Sequence, residues 1–172
     1  MKYNFFKSLF KQEDIFENYF AIKVNKDTKN LFLPLEKKNN KKEIYLHGLH
    51  NYEKQINDNL EQFISGYTFN NLLITGAIGC GKTSLIKKTA KKYENHNLKL
   101  IIFNKKDIPL LEDVIYELKN KYLQYKFLIM LDDISFDSSN DIYQSTKSVL
   151  EGTYDSIEKF MICATSNRRH LT

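Results

Sequence analysis

From residue 70 onward, short apolar runs alternate with longer stretches of helical periodicity. The apolar runs cover residues 72–75, 98–103, 127–131 and 160–165. Helical patterns lie between them, at about 82–94, 110–123 and 141–150. Buried strands that alternate with amphipathic helices are typical of βαβ units and a parallel sheet. The pattern predicts an α/β fold, a three-layer sandwich around a mainly parallel sheet.

Residues 1–65 show a different pattern. Residues 1–20 carry apolar side chains near helical spacing, and residues 52–65 predict an amphipathic helix that leads into the sheet. The polar run 37–42 between them, Lys-Lys-Asn-Asn-Lys-Lys, is typical of an exposed loop. We therefore divide the chain into a mostly helical N-terminal extension, residues 1–65, and a core, residues 66–172.

A glycine-rich segment follows the first core strand and matches the pattern G-x-x-x-x-G-K-[ST]. Three of the six glycines in the chain fall in it, and an amphipathic helical pattern comes next. Glycine lets the backbone turn tightly and bring its N–H groups close to phosphates, and the following helix directs its positive end at the same anion. The residues expected to contact nucleotide are Gly76, Ala77, Ile78, Gly79, Cys80, Gly81, Lys82, Thr83 and Ser84.

The chemistry of the segment points to ATP with Mg²⁺. Lys82 supplies a positive charge toward the β and γ phosphates, and Thr83 supplies a hydroxyl ligand for the metal. The strand at 127–131 ends in Asp132 and Asp133. Phosphate-loop proteins hold Mg²⁺ from its second side with such a strand-end carboxylate, so we assign Asp132 to the metal. Asp133 is expected to orient or deprotonate the attacking water.

The last apolar run is followed by Asn167, Arg168 and Arg169. An amide at the strand tip has both donor and acceptor groups with which to reach the γ-phosphate or the water. The two arginines are the only ones in a chain rich in lysine, and a planar, bidentate cation suits an arginine finger that acts on a neighbouring subunit. A structural salt bridge or a helix cap is the alternative, and the sequence does not choose between the two arginines.

Composition narrows the classes of partner. The net charge of +5 is spread along the chain rather than gathered in a basic stripe, so nucleic acid is not indicated as a partner. Two cysteines give no disulfide framework or metal spacing, which suggests a reducing, cytoplasmic compartment. No apolar run approaches the length of about 20 residues needed to cross a bilayer, so no membrane association is expected.

Taken together, the motifs resemble those of AAA+ ATPases, and more narrowly the bacterial proteins of the domain-of-unknown-function 815 family. The matching stretches are residues 70–83, 131–136, 147–152 and 164–171. The resemblance implies a Walker A motif at residues 76–83, a Walker B motif at 131–133 and a sensor 1 residue at Asn167. It also implies a possible homo-oligomer and an unknown protein partner.

In AAA+ proteins the core continues with a further strand and a helical lid, whereas this sequence stops at Thr172. One hypothesis is therefore that the chain hydrolyses ATP, and the alternative is that it is a truncated, non-catalytic nucleotide-binding module. A small-molecule kinase would need more arginines around its phosphates than the two present. A helicase-loader role follows only from analogy with AAA+ proteins, and the even spread of charge argues mildly against it.

Overall fold

The computed structural model describes residues 14–28, 31–41, 46–134 and 158–167. In chain order, its helices are α1 (Ile15–Asn18), α2 (His50–Ile64), α3 (Lys82–Lys91) and α4 (Leu111–Lys121). Its strands are β1 (Tyr19–Val24), β2 (Phe32–Lys37), β3 (Leu72–Thr75), β4 (Leu98–Asn104), β5 (Lys126–Asp132) and β6 (Phe160–Ser166). Short 3₁₀ turns, Glu94–His96 and Lys105–Leu110, flank β4.

The six strands form one sheet in the order β2-β1-β4-β5-β6-β3. All neighbouring pairs are parallel except β1 and β2, which run antiparallel at one edge. The central strands β4, β5 and β6 are almost wholly buried, as expected of strands covered on both faces. In a parallel sheet the carboxyl ends of the strands share one edge, where ligands of open α/β folds bind.

Two apolar clusters, one on each face of the sheet, make up the core. On one face α2 and α3 pack through Ile56, Leu60, Leu85 and Ile86 onto residues such as Met130. On the other face, residues of α1 and α4 pack against the opposite side of the same strands. Members of this second cluster are Phe16, Leu111, Val114, Ile115, Leu118, Ile101, Phe127 and Ile129. The predicted three-layer α/β sandwich with a mainly parallel sheet is confirmed.

The first 65 residues differ from their predicted pattern. A helix was expected over residues 1–20, but Tyr19 and Phe20 already belong to β1, and residues 1–13 lie outside the described part. The strands β1 and β2 were not predicted at all, and both extend the core sheet. The pairing of β1 with β2 shifts register between Tyr19 and Ile22, so its apolar side chains do not alternate cleanly. β1 is strongly apolar but lacks a clear period of two, so its sequence does not show the alternation that predicts a strand.

The remaining predicted elements agree with the structure to within a few residues. The predicted strands match β3, β4, β5 and β6, and the predicted helices match α2, α3 and α4. The helix predicted at 141–150 lies outside the described residues. Across the four described ranges, no helix is long and apolar enough to cross a membrane.

Candidate functional site

The glycine-rich segment joins the carboxyl end of β3 to the first turn of α3. Gly81, the residue before the helix, has a φ of 89° and a ψ of 15°, a left-handed conformation that other residues adopt only with strain. A Cβ at this position would lie 3.3 Å from Cδ2 of Leu46 and 3.7 Å from Cδ1 of Leu49. The segment before α2 therefore packs against the loop. The start of α3 carries N–H groups and the positive end of the helix dipole to the carboxyl edge of the sheet.

The Lys82 side chain is held inside this loop and is only 8% exposed. Its Nζ donates to the carbonyl oxygens of Gly76 at 2.9 Å and Ala77 at 2.8 Å. It also donates to Oδ1 of Asn167 at 2.9 Å and lies 3.7 Å from Sγ of Cys80. An ammonium group has three donors, and these three oxygens satisfy them. A phosphate that binds Lys82 must therefore replace contacts that the loop makes with its own lysine.

A hydroxyl and a carboxylate meet where α3 faces the end of β5. Oγ1 of Thr83 donates to Oδ1 of Asp132 at 2.7 Å. Hydroxyl and carboxylate oxygens suit Mg²⁺, which is usually held by one or two carboxylates, water and substrate phosphates. In the part of the chain that the structure describes, no group of three or more His, Cys, Asp or Glu side chains could hold a metal by itself. The oxygen pair Thr83–Asp132 thus fits a magnesium ion that arrives with phosphates.

Asn167 connects the loop lysine to the second aspartate. Its Nδ2 donates to Oδ1 of Asp133, while its own Oδ1 accepts from Lys82. The Asp133 backbone has a φ of 55°, which turns the chain sharply at the end of β5. The carboxylate of Asp133 is exposed and therefore accessible to water. The site thus joins a cation, an amide and a carboxylate in one hydrogen-bonded chain.

Thr165 was given no role by sequence reasoning, yet it lies between the two aspartates. Its hydroxyl donates to Oδ1 of Asp132 at 2.8 Å and accepts the backbone N–H of Asp133 at 2.9 Å. Its carbonyl accepts the N–H of Ile134 at 2.9 Å. The signal that could have found it is a hydroxyl near the end of the strand beside the acidic one. Sequence reasoning applies this signal to Asn167 at the strand tip and does not extend it to the hydroxyl two residues earlier.

The structure gathers the described members of the predicted site at one edge of the sheet. Ile78 stands at the tip of the loop with 83% of its surface exposed, and Ser84 lies in the first turn of α3. The residues brought together are Gly76, Ala77, Ile78, Gly79, Cys80, Gly81, Lys82, Thr83, Ser84, Asp132, Asp133 and Asn167. Arg168 and Arg169 lie outside the described residues, so their predicted role stays a prediction.

Solved structures of low sequence identity share this arrangement of strands and helices. The Orc1 protein of Aeropyrum pernix, solved in complex with DNA, matches with a TM-score of 0.57 at 14% identity, over 74% of this chain and 41% of its own. PCH-2 of C. elegans matches with a TM-score of 0.53 at 13% identity, over 90% of this chain and 59% of its own. A DNA replication initiation factor matches with a TM-score of 0.51 at 23% identity, over 72% of this chain and 39% of its own.

These likenesses show the fold, a three-layer α/β sandwich around a mainly parallel sheet, which is the fold that the resemblance to AAA+ proteins implies. The chain spans only 39 to 59% of the length of these three proteins. Among curated proteins, no sequence matches it. The model of the family described as "Protein of unknown function (DUF815)" matches residues 17–172. Since that match covers most of the chain, the protein belongs to the DUF815 family.

Proposed function

We propose that this chain binds ATP with Mg²⁺ at the glycine-rich loop and hydrolyses it. The observation that carries the proposal is the meeting of three groups at the carboxyl edge of the sheet. These are the Lys82 amine in the loop, the Thr83–Asp132 oxygen pair and the Asn167–Asp133 pair. A chance glycine-rich turn would have no reason to lie beside paired oxygen ligands and a water-accessible carboxylate.

Each residue has a distinct task in this proposal. The backbone N–H groups of the loop and the Lys82 amine bind phosphate oxygens and hold the γ-phosphate in place. Thr83 and Asp132 hold Mg²⁺, which when bound neutralises charge on the β and γ phosphates. Asp133 accepts a hydrogen bond from the attacking water and orients it. Asn167 fixes the direction of that carboxylate through the amide hydrogen bond already present.

Lys82 has to change partners when nucleotide binds. Its amine donates to two carbonyl oxygens of the loop and to the Asn167 amide oxygen, and a phosphate oxygen is a stronger, charged acceptor. Moving the amine to phosphate releases the loop carbonyls and frees Oδ1 of Asn167. Binding is thereby coupled to the network that holds Asp133.

The test combines binding and turnover on the same preparations. Fluorescent ATP is titrated into the protein with Mg²⁺, phosphate release is followed in parallel, and both are repeated on Lys82→Ala. Lys88→Ala is the matched control, because Lys88 lies on the same helix and pairs with Glu53 at 3.2 Å, away from the loop. Binding that Lys82→Ala abolishes and Lys88→Ala keeps supports the proposal. Absence of ATP binding by the parent chain contradicts it.

A non-catalytic nucleotide-binding module is the second candidate, and one observation favours it. The residue expected to orient water, Asp133, is an aspartate, one methylene shorter than the glutamate more often found in such ATPases. Binding of ATP with no phosphate release above background, at every protein concentration, would favour this candidate. Release that rises with protein concentration would instead indicate catalysis between subunits, where Arg168 or Arg169 acts as an arginine finger.

Partners and location remain part of the proposal. We expect a homo-oligomer that passes nucleotide-driven changes to a protein partner, in the cytoplasm. The DNA in the Orc1 structure belongs to that protein, and the dispersed charge of this chain gives no separate reason to expect nucleic acid. Salt-dependent binding to single-stranded DNA, measured by anisotropy, would overturn that expectation.

A further inference from the structure

Thr165 is a buried hydroxyl residue at the carboxyl end of β6, with 1% of its surface exposed. Its hydroxyl proton goes to Oδ1 of Asp132, 2.8 Å away. Its oxygen accepts the backbone N–H of Asp133 at 2.9 Å. A hydroxyl offers one donor and two acceptor lone pairs. Thr165 donates to the last residue of β5 and accepts from the residue that follows it. A valine of the same shape could make neither contact.

The first contact fixes the oxygen that pairs with Thr83. Oδ1 of Asp132 accepts hydroxyl protons from both Thr83 and Thr165. With the Thr83 proton directed at this carboxylate, the lone pairs of the Thr83 oxygen are available for a cation. Thr165 thus holds one member of the Thr83–Asp132 pair from the neighbouring strand β6.

The second contact, from the backbone N–H of Asp133 to the Thr165 hydroxyl, fixes the backbone of Asp133. Asp133 has a φ of 55°, a left-handed conformation that is uncommon for residues other than glycine. Its N–H is turned toward the Thr165 hydroxyl, and the following N–H, that of Ile134, bonds to the Thr165 carbonyl. Two hydrogen bonds to one threonine therefore hold the turn that presents the Asp133 carboxylate.

From this geometry we infer that Thr165 is a positioning residue that orients Asp132 for Mg²⁺ and Asp133 for water in the nucleotide site. The inference rests on the proposed function, since it assigns a role within that site. Partners that orient a metal ligand typically change metal affinity by about 10- to 100-fold when they are removed. Thr165→Val should therefore raise the Mg²⁺ concentration for half-maximal ATP binding by at least about tenfold.

The experiment separates metal binding from nucleotide binding. Fluorescent ATP affinity is measured across a Mg²⁺ titration and again in EDTA, for the parent, Thr165→Val and Thr165→Ser. Phosphate contacts come from the loop and not from Thr165, so the affinity in EDTA should change less than about twofold on removal of the hydroxyl. Thr165→Ser restores the hydroxyl and should bring the Mg²⁺ dependence back to within about threefold of the parent.

Thr89→Val is the matched control for loss of a buried threonine hydroxyl. Thr89 is fully buried, and its Oγ1 donates to the Leu85 carbonyl at 2.8 Å within α3. This variant should show the Mg²⁺ dependence of the parent. If Thr165→Val does not fold by circular dichroism, Thr165→Ala takes its place with the same expected shift.

The outcomes distinguish this inference from the function on which it rests. A parent that binds ATP with a Mg²⁺ dependence that Thr165→Val leaves unchanged would overturn the inference alone. A Thr165→Ser variant as impaired as Thr165→Val, or an equal loss of affinity in EDTA, would also overturn it, because either result indicates a general structural defect. A parent that binds no ATP would overturn the inference together with the proposed function.

Discussion

Lys99 is a buried lysine whose charge should make the stability of the fold depend on pH. It is the second residue of β4 and has 1% of its surface exposed. Its Nζ donates to the carbonyl oxygens of Phe16 and Tyr19 and lies 5.0 Å from the centre of the Tyr125 ring. Burial, together with the nearby positive charge of Lys38, lowers the pKa of Lys99 from 10.5 to about 8.

The shift converts directly into a free energy of unfolding. Between about pH 8 and 10.5 the unfolded chain keeps the Lys99 proton while the folded chain has lost it, so stability rises with pH in this window. A shift of about 2.5 pKa units corresponds to about 3 kcal/mol over the whole window. From about pH 7 to about pH 9.5 the expected gain is about 2 kcal/mol.

Lys99→Met isolates this contribution, because methionine keeps the length and apolar body of the side chain but cannot titrate. Urea unfolding of the parent and the variant is followed by far-ultraviolet circular dichroism, since the chain has no tryptophan. The free energy of unfolding of the parent minus that of the variant should rise by about 2 kcal/mol between about pH 7 and pH 9.5. Taking the difference removes the effect of other groups, such as Tyr122, whose pKa burial raises to about 12.

A difference that stays flat over this range would mean that Lys99 keeps an ordinary pKa despite its burial. A difference that falls with pH would mean that the site favours the charged amine, through the two carbonyl oxygens and the aromatic ring. Either result would refute the argument that desolvation dominates at this position.

Three further predictions concern the site. Gly81→Ala and Gly66→Ala each place a side chain at positive φ, which is 89° for Gly81 and 78° for Gly66. Each variant should therefore lose about 1–2 kcal/mol of stability. In titrations with fluorescent ATP, only Gly81→Ala should lose nucleotide binding. Asn167→Ala should lower phosphate release by at least about tenfold while changing ATP affinity by less than about threefold, and equal losses of both would refute its assignment to the water-orienting step. At neutral pH a thiol reagent should modify the exposed Cys80 and spare Cys163, because burial raises the pKa of the Cys163 thiol to about 12. Bound ATP should slow the reaction of Cys80, and mass spectrometry measures both effects.

Much of the core could be predicted because its strands are covered on both faces and therefore appear as unbroken apolar runs. The run at 98–103 coincides with most of β4, and the run that ends in two aspartates coincides with most of β5. The hairpin of β1 and β2 could not be predicted in the same way. β2 is a partly exposed edge strand that contains Pro34, and a proline within a short run argues against a strand.

The parts of the candidate site that lie within a single local motif could be predicted from the sequence. The spacing of Lys82 and Thr83 after the glycines is a local pattern, and so is the pair of aspartates after an apolar run. The role of Thr165 depends on the pairing of β5 with β6, which brings Leu131 opposite Ala164. Such pairings are set by packing of the whole sheet, and no local pattern records them.

The order of strands in the sheet also sets the order in which the site can form on the ribosome. Among the described strands β3 pairs only with β6, with Leu72 opposite Cys163, so the strand before the phosphate loop precedes its partner by about 90 residues. At the roughly 5–20 residues per second of protein synthesis, β3 waits about 5 to 18 s for that partner to be made. The newly made part of the sheet must remain unaggregated for this interval, and the candidate site can be completed only after β6 has been made.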